Sequence, residues 1–249
     1  MELLDWISNG LSERTNSDEI SDLVRGYFFQ ERGESNPIDS SKRPSLPYFS
    51  GSRFDDFAPS GIRSATSFTV DDVLAIELLS VQLKPVGILE MLADGPKKDS
   101  LNAKLKALKE ADLGSLHQQK EPLSEHYAVR DLYRELRQVY SVGSVKATKL
   151  MSRKFPHLVP IYDSRIHTGI RASGKYPTDD SVFAYWDRVQ EFLSFERDGG
   201  RLDVIRQVEL ATHYPDVSVL RVLDVALWLK ASGYTYDYNN RRVQVQLRK

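Results

Sequence analysis

Val139-Tyr140-Ser141-Val142-Gly143-Ser144-Val145-Lys146-Ala147-Thr148-Lys149-Leu150-Met151 is followed, after a return bounded by Pro156 and Pro160, by Ile161-Tyr162-Asp163-Ser164-Arg165-Ile166. The residues before it predict a helix over 124–140, with Val129, Leu132, Leu136 and Val139 on one stripe. That helix must stop and the chain must reverse, and Gly143 is expected to supply backbone angles that other residues resist. A second helix is predicted from Ser144 to Lys154, about eleven residues or ~16 Å long. Ala147 leaves room for two helices to pack closely, while Leu150 and Met151 face inward. The first amides of the second helix lack intrahelical partners and carry partial positive charge, so they suit a phosphate. Between Tyr140 and Lys175 there are seven Lys or Arg residues (146, 149, 153, 154, 165, 171, 175) and one acid, Asp163, in a chain of net charge −1. Such local concentration of positive charge is what a polyphosphate partner needs.

Outward from this stretch the pattern is helical. Thr69 with Asp71 and Asp72 predicts an N-cap and an acidic first turn, followed by a run from Val73 to Leu79 that is apolar nearly all round. Pro85 and Gly95-Pro96 read as breaks. Further helices are expected over 100–110, from Thr178-Asp179-Asp180 to about Phe195, over 201–212 and over 218–232. The tail from Tyr234 to Leu247 alternates with period two around Asn239-Asn240, which predicts a small β-hairpin. Residues 31–67 read mostly as loop, with an aromatic knot (Tyr48, Phe49, Phe54, Phe57) expected to dock on the core. The expected architecture is all-α, with about eight helices, a short C-terminal β-hairpin and a loop-rich N-terminal segment. The expected division is 1–68, one or two short helices and a loop docked on the core, and 69–249, the helical domain with the hairpin at 139–163.

The 249 residues suffice for one good-sized core. Apolar and charged fractions of 41% and 28% suit a water-soluble globular protein, and no apolar run approaches the ~20 residues that span a bilayer. No cysteine is present, which excludes disulfides, a cysteine nucleophile and a cysteine-ligated cluster. The five histidines lack zinc-site spacing, so no metal is expected. The acidic N-terminus lacks a signal-peptide pattern. A cytoplasmic monomer without cofactor is the expectation.

The stretch 139–163 resembles the helix-hairpin-helix of endonuclease-III-like DNA glycosylases, whose motif runs Leu-Pro-Gly-Val-Gly-x-x-x-Ala and ends, after a short return, in Val-Asp before a new helix. The matching residues here are Val139 to Ala147, then Ile161-Tyr162-Asp163, and the twenty residues from Gly143 to Asp163 are typical of that superfamily. Ser141 stands where the family has its first glycine, and Tyr140 where it has proline. Val145 stands where bifunctional members carry their Schiff-base lysine. The chain is also similar to an uncharacterised bacterial family that shares the segments Phe49-Ser50-Gly51-Ser52-Arg53-Phe54 and Ala147-Thr148-Lys149-Leu150.

The resemblance implies a monofunctional DNA glycosylase. It implies that Asp163 is the catalytic carboxylate and that Val142, Gly143, Ser144, Val145, Lys146, Lys149 and Arg165 hold the DNA backbone. The target base is flipped out of the stack before the glycosidic bond is cut. Tyr162, Trp186, Tyr48, Phe49 and Phe54 are candidates for stacking in the base pocket, and Arg53 for reading a base edge. Two settings stay open: housekeeping repair, and defence against phage whose DNA carries bulky modified bases such as glucosylated cytosine. The same residues admit plainer roles. Asp163 suits the N-cap of the helix that follows it, the basic run suits a solvated face, and the aromatic knot suits core packing. A non-catalytic DNA-binding module and a helical protein-interaction domain are the alternative functions.

Overall fold

The computed structural model describes residues 14–32, 46–58, 66–169, 178–195 and 217–245. Its elements, in chain order, are α1 (Arg14–Phe29), α2 (Val70–Glu77), α3 (Pro85–Leu92), α4 (Pro96–Glu110), α5 (Tyr127–Arg137), α6 (Ser144–Lys154), α7 (Ser164–Gly169), α8 (Asp179–Phe195), α9 (Val219–Ala231), β1 (Tyr234–Asp237) and β2 (Arg242–Val245). The protein is mostly helical, and its two named strands form one antiparallel hairpin. The helix expected over 201–212 lies outside the described residues.

Local chemistry accounts for five of the helix starts. Thr69 Oγ1 accepts from the Asp72 amide, and the Asp72 carboxylate accepts in return from the Thr69 amide, a closed capping box. Thr178 caps α8 through the Ser181 amide, and Ser218 caps α9 through the Arg221 amide. Pro85 and Pro96 do not break helices but open α3 and α4, because the first helical position needs no N–H donor. Nor is α2 buried all round. Val73, Ala75 and Ile76 are buried, while Val70 and Leu74 are exposed. The helix expected over 124–140 is shorter than its pattern. Leu123 and Ser124 give their amide hydrogens to Gln190 and Asp187 of α8, so the chain enters α5 only at Tyr127.

The chain divides into two compact units, each built from separated segments, and these do not follow a boundary at residue 68. The first comprises 1–52, 164–173 and 195–249. Its core is aromatic: Tyr27 stacks on Phe49 at 4.9 Å, Trp228 on Tyr234 at 5.6 Å, and Phe49 lies edge-on to Tyr234 at 5.2 Å. Arg221 of α9 donates to the Gly51 carbonyl and lies over the Tyr27 ring. The Gln30 side-chain amide pairs with both backbone groups of Val243, which docks the β-hairpin on the end of α1. Asp237 accepts from the amides of Asn239 and Asn240, so the hairpin turns where the sequence places it.

The second unit comprises 53–163 and 174–194. At its centre is α6, with nine of its eleven residues buried. Lys154 Nζ lies 2.6 Å from Asp72 Oδ2, both side chains being fully buried. Burial holds the Lys154 ammonium below the ordinary lysine value, against the pull of Asp72. Arg153 adds its guanidinium at 3.7 Å from Asp72 Oδ1 and donates to the carbonyls of Phe54, Asp55 and Phe57. The aromatic knot is thereby divided: Phe49 packs in the first unit, and Phe54 beneath Arg153 in the second.

Removing Asp72 takes the carboxylate away from two buried cations and opens the capping box. Asp72→Ala is expected to cost about 3–5 kcal/mol, measured as a fall in the urea midpoint with the slope unchanged.

Candidate functional site

The reversal between α5 and α6 is built on Ser141, not on Gly143. Ser141 has φ +62°, in the left-handed region that resists a side chain. Gly143 has φ −87° and ψ 177°, ordinary extended backbone, and a Cβ there would meet only Arg137 Nη1 at 3.8 Å. The glycine that the turn does require is Gly87 of α3, where a Cβ would lie 2.3 Å from the Tyr140 carbonyl oxygen. Nothing in the local pattern marks Gly87, because the demand comes from a segment about fifty residues away. The Lys84 amide donates to Ser141 Oγ at 3.1 Å, and the Glu90 carboxylate accepts from the Tyr140 amide at 2.6 Å. Thus α3 grips the turn at three points.

A polar cluster adjoins the first turn of α6. Arg137 donates to the Val142 carbonyl at 3.1 Å and to Asp179 Oδ1 at 3.0 Å. The Tyr133 hydroxyl donates to the same carboxylate oxygen at 2.9 Å. Burial raises the Tyr133 phenol well above its ordinary pKa, opposed by a hydrogen bond with Ser144. Val142 and Ser144 are buried, whereas Gly143, Val145 and Lys146 are partly exposed.

The cations expected to form a basic surface are mostly turned inward. Lys149 is buried and gives a hydrogen to the Leu79 carbonyl at 2.9 Å, just beyond the end of α2. Arg153 and Lys154 are committed to the Asp72 network. These three are structural, because a buried cation must find acceptors and the carbonyls beside α6 provide them. Lys146 differs: its ammonium reaches back to the Ser141 carbonyl at 2.7 Å and stays partly exposed. Arg165, exposed on α7 in the first unit, lies near enough to oppose the rise in the Tyr234 pKa.

Asp163 is buried, with 7% of its surface exposed. The segment that leads to it is held by three contacts. Thr148 Oγ1 accepts from the Tyr162 amide at 3.2 Å and sits 3.2 Å from the Tyr162 carbonyl, to which it can donate. Trp186 donates to the Pro160 carbonyl at 3.1 Å, and Tyr185 stacks on Tyr162 at 4.8 Å. Thr148 is the positioning residue that sequence reasoning missed. Its one signal in the sequence is a threonine in the middle of a predicted helix; in the fold its hydroxyl is fully buried and also lies 3.1 Å from the Val145 carbonyl.

The residues expected to stack on a base are engaged elsewhere. Tyr162, Trp186 and Phe54 are fully buried, and Phe49 belongs to the aromatic core of the first unit. Arg53 pairs with Asp56 at 3.3 Å. Of the set, Tyr48 keeps an exposed face. Packing claims these rings because large apolar area is stabilising wherever it can be buried.

Residues 21–231 match a family of unknown function, DUF6308. The chain belongs to the DUF6308 family. The DUF6308 match includes the aromatic knot, the turn, α6 and Asp163. No curated protein and no solved structure matches the chain. Among the described residues no helix is long and apolar enough to cross a membrane, and no group of His, Asp and Glu side chains could hold a metal ion.

Two glycines give opposite expectations. Gly143→Ala should change stability by less than about 0.5 kcal/mol, while Gly87→Ala should cost roughly 1–3 kcal/mol, both from urea melts. Thr148→Val keeps the shape but strips the Tyr162 backbone of its partner, an expected loss of about 1–3 kcal/mol. Faster hydrogen exchange at the Tyr162 amide would place that loss at the predicted spot.

Proposed function

We propose that this chain is a monofunctional DNA glycosylase that hydrolyses the N-glycosidic bond of a damaged or modified base, with housekeeping repair and defence against modified phage DNA as the two settings. The reading rests on the resemblance of 139–163 to the helix-hairpin-helix. One structural observation carries it furthest. α6 joins both ends of the constellation, starting at the turn assigned to the DNA backbone and gripping, through Thr148, the residue next to Asp163. A carboxylate for this chemistry must be held still while charge develops opposite it.

In the proposed reaction the bond between C1′ and the base nitrogen breaks, and the electron pair leaves with the base. Positive charge spreads over the sugar ring, as in glycoside hydrolysis. The Asp163 carboxylate stabilises that charge and orients or deprotonates the attacking water. Water oxygen joins C1′, one proton reaches the departing base, and the product is an abasic site in an intact strand. Val145 cannot form the Schiff base that precedes strand cleavage. Water is the co-reactant in these steps.

The burial of Asp163 favours a second reading, a non-catalytic DNA-binding module in which this carboxylate only shapes the chain leading into α7. The two readings separate in one assay. Purified protein is incubated with a panel of genomic DNAs, heavily modified phage DNA among them, and released bases are identified by mass spectrometry. The glycosylase reading expects base release that falls about 100-fold or more in Asp163→Asn. Unchanged release in that variant would reject Asp163 as the catalytic group, and DNA retention without any base release would favour the binding module.

A further inference from the structure

Lys84 and Lys146 are placed against ordinary electrostatic preference. Lys84 is the N-cap residue of α3 and has no side-chain capping bond, and Lys146 lies in the first turn of α6. Helix N-termini carry partial positive charge, so a cation there is unfavourable and an acid is the usual choice. Neither first turn contains an acid. The two lysines also converge on one residue, since the Lys84 amide donates to Ser141 Oγ and the Lys146 ammonium to the Ser141 carbonyl. Burial, and then the nearness of Lys84, hold the Lys146 ammonium below its ordinary value. Among the described residues neither lysine forms an ion pair. The acid attached to this turn, Glu90, has its carboxylate on the Tyr140 amide. Lys146 keeps the Ser141 carbonyl as its partner, yet its charge is opposed by Lys84 and by the helix end, and a bound anion relieves those conflicts.

The same turn carries Tyr140, 56% exposed, next in sequence to Ser141. The rigid seating of Gly87 on the Tyr140 carbonyl fixes the backbone from which this ring projects. An exposed aromatic ring beside paired cations is the combination that tracks a nucleic-acid strand, where phosphates take the charge and a base takes the ring face. A free phosphate ion would use the lysines and leave the ring idle.

We propose that Lys84 and Lys146 together hold one backbone phosphate of DNA and that Tyr140 stacks on the adjoining nucleotide, which makes α3 part of the DNA-contacting edge. This inference rests on the DNA reading above but not on Asp163 being catalytic.

The test is fluorescence anisotropy with a labelled 20-nucleotide DNA, single-stranded and duplex, across a salt series with the full chain. All three side chains are at least partly exposed, and circular dichroism confirms that the variants fold. Lys84→Glu and Lys146→Glu should each weaken binding at least five-fold and flatten the salt dependence of log Kd by about one phosphate contact. Tyr140→Ala should weaken binding several-fold with the salt slope unchanged, because stacking releases no counterions. Lys106→Glu, an equal charge change on an exposed α4 lysine, should leave both quantities near wild type. If wild type binds DNA while Lys84→Glu behaves like Lys106→Glu, the α3 contact is wrong and the DNA reading survives. Full affinity in Tyr140→Ala overturns the strand assignment in favour of phosphate alone, a result that competition by inorganic phosphate would corroborate. A wild-type protein that binds no DNA at low salt overturns both this inference and the function proposed above.

Discussion

A helix that is buried nearly all round yet rich in polar side chains must find a partner for each of them, and α6 is such a helix. Its buried polar residues are Ser144, Thr148, Lys149, Ser152, Arg153 and Lys154. Unpaired, a single buried ammonium or guanidinium would cost several kcal/mol. The surrounding segments answer with backbone carbonyls and one carboxylate: Leu79 for Lys149, Phe54, Asp55 and Phe57 for Arg153, Asp72 for Lys154, and Tyr162 for Thr148. Segments far apart in sequence are therefore fixed to one helix by directional bonds. Apolar packing supplies the bulk of the stability of such a core, but it does not specify direction. The hydrogen bonds do.

This arrangement changes the meaning of the basic stretch. In the sequence it looks like a cationic surface. In the fold its middle is interior, and at the turn Lys146 stays partly exposed beside the exposed Lys84 that precedes α3. Any DNA contact made by the turn is accordingly small and local, a matter of one or two phosphates. The turn itself is strained in a way the structure makes intelligible. Ser141 occupies a left-handed position that glycine would fill without strain, and its hydroxyl recovers part of the strain by accepting from the Lys84 amide. The proposed chemistry asks little more of the backbone than this: a rigid turn at one end of α6 and a rigid carboxylate at the other end of the constellation.

Several features were legible in the sequence because their causes are local. The bounds of α6, the caps at Thr69 and Thr178, and the tail hairpin around Asn239 and Asn240 each depend on residues a few positions apart. Helix α3 was not legible, because Pro85 reads equally as a stop and as a first helical residue. The role of Gly143 was misread for a related reason. A glycine in a turn suggests unusual angles, yet here the unusual angles fall two residues earlier. The base-pocket residues illustrate a broader limit. Aromatic residues near a candidate site look like ligand contacts in sequence, and whether Trp186 or Tyr162 faces a cleft or a neighbour depends on which helix arrives against it.

By itself the sequence determined a cysteine-free, mostly helical chain, the reversal before α6, and the twenty-residue interval that ends at Asp163. These follow from composition and from interactions within a few residues of backbone. Only the tertiary structure decided that Lys149, Arg153 and Lys154 serve the interior, that Thr148 holds the approach to Asp163, and that the Lys84 amide and the Lys146 ammonium both bond to Ser141. A charged side chain points wherever an acceptor meets it, and which acceptor that is depends on segments brought together by folding.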